Sequence, residues 1–279
     1  MLLTAASNIM NLTRYLKIGN LKFKILCPSG AWASLIDANY GPFLTRHSAG
    51  CDGQISISSL NRSSNLPRTL KVTRLGKAWQ IARYDFRSAS ADGLKTTMLE
   101  VEKNKYAFDS WLRIFFTLCG IKNKAILIHG AGYRHKQSIY VFPGRSGRGK
   151  STLIRLLGKQ GALSDELVCV YSKGSSFFGA STPFWGELKK GTGDTHEGPL
   201  KKIFFLKHGR TLALERTGRA KAVKSILKTA LFFSKDRAHL KALLALTHGL
   251  ALKVPSAVLS FRKDSHKADI LETITGQEE

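Results

Sequence analysis

Acidic residues are scarce in this chain. Against 44 Lys plus Arg the 279 residues hold only 19 Asp plus Glu, a formal net charge of +25. Such an imbalance favours polyanions by long-range attraction: nucleic acid, a membrane surface, an acidic peptide or a nucleotide. Cysteine is also sparse. Cys27, Cys51, Cys119 and Cys169 lie far apart, with no C-x-x-C pair and no accompanying His cluster. That excludes a zinc site or a disulfide framework and fits free thiols in a reducing compartment. Long apolar runs are missing. None approaches the roughly 18 to 20 residues that cross a bilayer. Met1 to Met10 is mildly apolar but has no basic leader region, so a signal peptide is not expected. A cytoplasmic protein with no transmembrane segment is the expectation. Internal repeats at 20 to 50 residues are absent, as are long low-complexity linkers.

What is present is enough apolar material for a core: 43% of the chain. Residues 20 to 105 read as short strands parted by turn residues, at Leu21 to Cys27, Ile55 to Ile57, Leu70 to Val72, Trp79 to Tyr84 and Thr97 to Val101. Thr45 to Arg68 is the most loop-like stretch. From Ala107 the pattern becomes helical, with Phe108, Trp111, Leu112, Phe115, Phe116 and Cys119 at helical spacing and Gly120 as the expected stop. Two apolar runs, Ala125 to His129 and Ser138 to Phe142, suit buried strands. Ser151 to Lys159 reads as a helix. Leu167 to Val170, Ile203 to Leu206 and Val258 to Phe261 are further strand candidates. Ala220 to Phe233 and Arg237 to Leu252 read as helices. The expectation is an α/β chain with a β-rich region over 1–106 and a second domain over 107–279.

The segment Gly144-Arg145-Ser146-Gly147-Arg148-Gly149-Lys150-Ser151 fits G-x-x-x-x-G-K-[ST] without a mismatch. Its glycines permit a tight loop whose N–H groups point inward at phosphate oxygens. The loop opens onto a helix N-terminus, where orphan amides and the helix dipole favour anions. Lys150 supplies a positive charge for the β- and γ-phosphates, the Ser151 hydroxyl suits Mg²⁺, and Thr152 follows in the first turn. An apolar strand before the loop and an amphipathic helix after it supply the context that the pattern requires. The expected ligand is ATP. Arg145 and Arg148 either neutralise γ-phosphate charge or project to solvent.

Other phosphate-loop classes are excluded by what is missing. There is no Asn-Lys-x-Asp and no Leu-Ser-Gly-Gly. An acidic pair, Asp165-Glu166, follows instead, fifteen residues beyond Lys150. A helix over Ser151 to Gln160 descends roughly 15 Å at about 1.5 Å per residue. An extended run over Gly161 to Asp165 climbs back roughly 16 Å at about 3.3 Å per residue. The two lengths nearly cancel, so Asp165 returns to the phosphate end of the sheet, where an acid accepts a hydroxyl proton or holds a metal.

His129-Gly130, the loop at Gly144, Leu163-Ser164-Asp165-Glu166, Ser181 to Glu187 and Ile203 to His208 together resemble the HPr kinase/phosphorylase family and its looser relatives, over roughly residues 110 to 262. The resemblance implies a P-loop kinase core of the HPr kinase and phosphoenolpyruvate carboxykinase type beneath the small β-rich layer. It implies transfer of the γ-phosphate of ATP to a hydroxyl with Mg²⁺. Lys150 and Ser151 then serve the phosphates and metal, Asp165 is the base, His129 lies near the reacting phosphate, and Glu166 and Glu187 are the further metal candidates. The Glu-Ile-Arg-Gly signature of the true HPr kinases is missing. The acceptor implied is therefore a serine-type hydroxyl on a protein, peptide or small molecule, without implying HPr itself. Oligomers are common in the family.

Two rival readings use the same residues. One is an ATP-responsive binding or regulatory protein without turnover, acting through a basic surface. The other is nucleic-acid binding through the +25 charge. Twelve Lys or Arg fall between Lys201 and Leu250 with only Glu215 and Asp236 as acids. They are not interleaved with aromatic residues, which weakens the nucleic-acid reading. Arg216, Arg219, Lys221 and Lys224 suggest a basic helix face, either solvated or a dock for an acidic acceptor.

Overall fold

The computed structural model describes residues 12–46, 50–60, 65–188 and 194–276. The Met1 to Met10 stretch lies outside them. The chain is mixed α/β, with two mixed sheets and, among the described residues, six α-helices. Contacts divide it into two units. The first runs to Asn123 and takes in Phe232–Leu240; the second comprises Lys124–Leu231 and the chain from Lys241 onward. The division falls after the helix that begins near Ala107, not before it. No helix among the described residues is long and apolar enough to cross a membrane.

The first unit holds strands β1 (Thr13–Ile18), β2 (Leu21–Leu26), β3 (Gly53–Ser59), β4 (Lys71–Leu75), β5 (Ala78–Arg83), β6 (Phe86–Ser90) and β7 (Thr96–Val101), ordered β1-β2-β3-β7-β6-β5-β4. β2, β3 and β7 run parallel. A parallel pair needs a crossover, and helix α1 (Gly30–Tyr40) supplies the one between β2 and β3. The strand reading of residues 20 to 105 missed it, although Trp32, Ala33, Ile36 and Tyr40 bury one helical face. Helix α2 (Lys105–Lys122) starts at Asn104, whose side chain accepts from the Ala107 N–H at 2.9 Å. It packs Phe115 and Phe116 against Phe23 and donates from Trp111 Nε1 to Ser88 Oγ at 2.8 Å. Gly120 does not stop it. The helix runs on to Asn123, whose side chain donates to the Cys119 carbonyl.

Cys27 and Cys119 are buried and Cys51 is exposed. Burial pushes Cys27 up to about 11, and raises Cys119 further. Cys169, in the second unit, is buried and raised in the same way. Since the thiolate is the reactive form, a thiol reagent should label Cys51 alone in the native protein and the other three only after unfolding. Fast labelling of two or more native thiols contradicts this burial pattern.

His239 of the first unit is buried against Trp79 with ring centroids 4.9 Å apart and both ring nitrogens without a hydrogen-bond partner. Burial holds it below the ordinary 6.5; Asp236 opposes that shift, and Lys122 and Arg74 reinforce it. The folded state thus prefers the neutral ring. Its stabilisation is complete above 6.5 and is lost as pH falls below that value, where the unfolded chain takes the proton first. Melting curves from about pH 7 to pH 5 should fall more steeply for the wild type than for His239→Leu. Parallel curves would contradict the assignment.

The second unit carries β8 (Ala125–His135), β9 (Ser138–Pro143), β10 (Ala162–Ser164), β11 (Leu167–Lys173), β12 (Ser176–Ala180), β13 (Glu197–His208), β14 (Ala213–Arg216) and β15 (Ser256–Phe261). Its helices are α3 (Lys150–Leu157), α4 (Arg219–Thr229), α5 (Arg237–Lys253, its first four residues grouped with the first unit) and α6 (Lys267–Thr275). β8 is longer than expected. His129 lies inside it rather than at its end, paired with Leu167 of β11. α4 ends four residues before Phe233 because Ala230 bridges Ile128 and the Leu231 N–H bonds the Leu127 carbonyl. Arg216 belongs to β14, so the basic helix face begins at Arg219. β9, β13 and β15 run parallel. α3 and α6 pack Leu153, Ile154, Leu157, Ile270 and Ile274 into one cluster with Phe142, Phe204 and Phe261. An eight-residue helix is too short to persist alone. Each fully buried Leu or Ile contributes about 1.5–3 kcal/mol, so packing holds α3 in place.

Candidate functional site

The parallel strands β9, β13 and β15 bring Pro143, His208 and Phe261 to one end of the sheet. In open α/β sheets ligands bind outside the carboxyl ends of parallel strands. The glycine loop leaves β9 at that end. Its first amide, of Gly144, donates to the His129 carbonyl at 3.0 Å, so β8 fixes where the loop departs. Gly147 and Gly149 adopt φ of +79° and +86°, the left-handed region that glycine tolerates. A Cβ on Gly149 would also stand 3.1 Å from the Phe261 ring. Gly149 caps α3 without a side chain, so no side-chain group covers the first turn.

Lys150 is buried and donates across the loop to the Arg145 carbonyl at 3.0 Å. Burial lowers its affinity for a proton; Asp165, Glu187 and Glu166 oppose that. A desolvated ammonium bonded to one carbonyl has donors left for an anion. Arg145, Ser146, Gly147 and Arg148 are exposed, while Thr152 is half-buried at the start of α3.

Ser151 Oγ donates to Asp165 Oδ2 at 2.9 Å. The helix-down, strand-up geometry thus brings the two together, with β10 supplying the return. Asp165 is 3% exposed and accepts two further bonds, from the N–H groups of Gly186 at 2.9 Å and Leu188 at 3.1 Å. Ser164 braces the turn by donating to the Phe184 carbonyl and accepting from the Glu166 and Leu167 amides. The remaining expected residues are less closely gathered. Glu187 is exposed, 3.4 Å from Arg155, an exposed residue one helical turn beyond Ser151. Glu166 is half-buried, with its backbone tied to Gly130 and Ser164. Phe184 is fully buried and Trp185 packs against the α3 cluster.

The chain matches no protein-family model and no curated protein.

His208, marked in the sequence only as the end of the Ile203 to His208 run, also reaches the loop. Its Nε2 donates to the Gly147 carbonyl at 3.0 Å. A carbonyl only accepts, so Nε2 carries the proton. The apolar run from Ile203 to Leu206 announced the strand, but only the parallel order puts its last residue beside the loop. Among the described residues no three His, Cys, Asp or Glu side chains gather around one point. The donor set that does form, a serine hydroxyl against a buried carboxylate, is hard oxygen, a chemistry that fits Mg²⁺.

Proposed function

We propose that the chain is an ATP- and Mg²⁺-dependent kinase of the HPr-kinase-like type, transferring the γ-phosphate to a hydroxyl acceptor. The observation that carries this reading is the Ser151–Asp165 contact, 2.9 Å long, at the mouth of a loop with two left-handed glycines and a buried lysine. In this reading the amides of residues 146–151 and Lys150 hold the β- and γ-phosphates. Ser151 and Asp165 hold the cation. Bound there, Mg²⁺ would neutralise charge on the β- and γ-oxygens. The N–H bonds from Gly186 and Leu188 fix the Asp165 carboxylate beside Ser151, which supports a role at the cation; the family resemblance implies the base instead. Phosphoryl transfer asks mainly for positioning and charge neutralisation. His129 contributes its carbonyl, which anchors Gly144, and His208 holds the Gly147 peptide from the other side.

The reading is tested with γ-labelled ATP, Mg²⁺ and a pool of serine-containing peptides. Label should pass to peptide in the wild type and not in Lys150→Ala. ATP binding without transfer to any peptide or small hydroxyl acceptor would favour the non-catalytic, ATP-responsive alternative.

A further inference from the structure

Helix α4 buries Ala222, Ile226 and Thr229. It carries a second apolar stripe, Ala220, Val223 and Leu227, at the same helical spacing and displaced around the axis. That stripe stays half-buried to exposed. With Ala251 and Leu252 of α5 it forms the floor of an open groove of about 810 Å³. Leu244 and Leu252 of α5 are 44% and 47% exposed. They stand eight residues apart, about 12 Å along the helix. Arg219, Lys224 and Lys228 from α4 and His248 from α5 edge the groove, which no acidic residue lines.

We propose that this groove docks an acidic amphipathic peptide segment of a partner protein. Aliphatic anchors at i, i+4 and i+7 would fill the floor, and carboxylates would meet the basic rim. Charge complementarity selects the partner: an apolar trough edged by three Lys or Arg and no acid rejects a basic helix and steers an acidic one. Shape argues against the other occupants. Small-molecule sites bury most of their ligand, whereas this trough is open to solvent, as a groove that receives a helix is. A membrane surface would need leucines on a convex face, and Val223 and Leu227 line a concave one. Single-stranded nucleic acid would need stacking rings, and the lining has no Phe, Tyr or Trp. The inference does not rest on phosphoryl transfer and is tested without nucleotide.

The probe is a labelled 14-residue helical peptide with leucines at i, i+4 and i+7 and glutamates flanking them. Its anisotropy is followed against the full chain. Saturable micromolar binding is expected, weakened at least about tenfold by Leu227→Glu and by the pair Lys224→Glu with Lys228→Glu, and weakened by salt. The lysine pair is exposed, so it reads out the rim even where Leu227→Glu disturbs folding; melting curves identify that case. A peptide with lysines in place of the glutamates should not bind, and one with serines in place of the leucines should bind at least about tenfold more weakly. No binding, binding untouched by the groove substitutions, or equal binding of the leucine-free peptide would overturn the proposal. Tighter binding of anionic vesicles or duplex DNA through the same lysines would also overturn it, assigning the rim to a membrane or a nucleic acid.

Discussion

Lys150→Ala should weaken ATP binding by on the order of 100-fold while leaving the fold intact. The ammonium is buried, desolvated and bonded to one carbonyl, that of Arg145. A phosphate there would gain about two charge-assisted hydrogen bonds at about 1.5 kcal/mol or more each. Their loss is about 3 kcal/mol, and every 1.4 kcal/mol is tenfold in affinity. Stability should not suffer in step, because removing a buried charge also relieves its desolvation cost. Calorimetric titration with ATP, beside a melting curve, separates the two effects. A loss below about threefold would place the phosphates elsewhere.

Asp165→Asn should abolish the gain in ATP affinity that Mg²⁺ confers and cut phosphoryl transfer by on the order of 10³, while Mg²⁺-free ATP binding changes only a few-fold. The carboxylate stands 2.9 Å from the Ser151 hydroxyl, and asparagine keeps its size without its charge. If Asp165 were instead the base, turnover would fall with the Mg²⁺-dependent affinity unchanged. The substitution also leaves an amide group facing a backbone donor from Gly186 or Leu188. Leaving such a donor unpaired costs about 1–3 kcal/mol, so a lower melting temperature is expected and must be measured alongside.

Much of the site was legible because its signals are local. The glycine loop, the strand before it and the short helix after it are adjacent in sequence, and the return to Asp165 followed from two rises per residue. The strand at Ile203 to Leu206 was visible too, but not its neighbours. The placement of His208 depends on β9, β13 and β15 being parallel, a long-range pairing that no local pattern states. α1 was missed because its apolar positions fell among strands and turn residues, and only the parallel β2–β3 pair requires a crossover there. Gly120 was expected to end α2, but packing of Phe115, Phe116 and Trp111 carries the helix through it. Glu187 lies at a plausible spacing for a ligand, yet its carboxylate meets Arg155 at the surface.

The loop from Gly144 to Ser151 is proposed to hold nucleotide phosphates. A crystal structure with a non-hydrolysable ATP analogue and Mg²⁺ tests it most directly. Phosphate oxygens are expected on the amides of residues 146–151 and on the Lys150 amine, with the cation between Ser151 and Asp165. An analogue bound elsewhere, with no phosphate on the Lys150 amine, would rule the loop out.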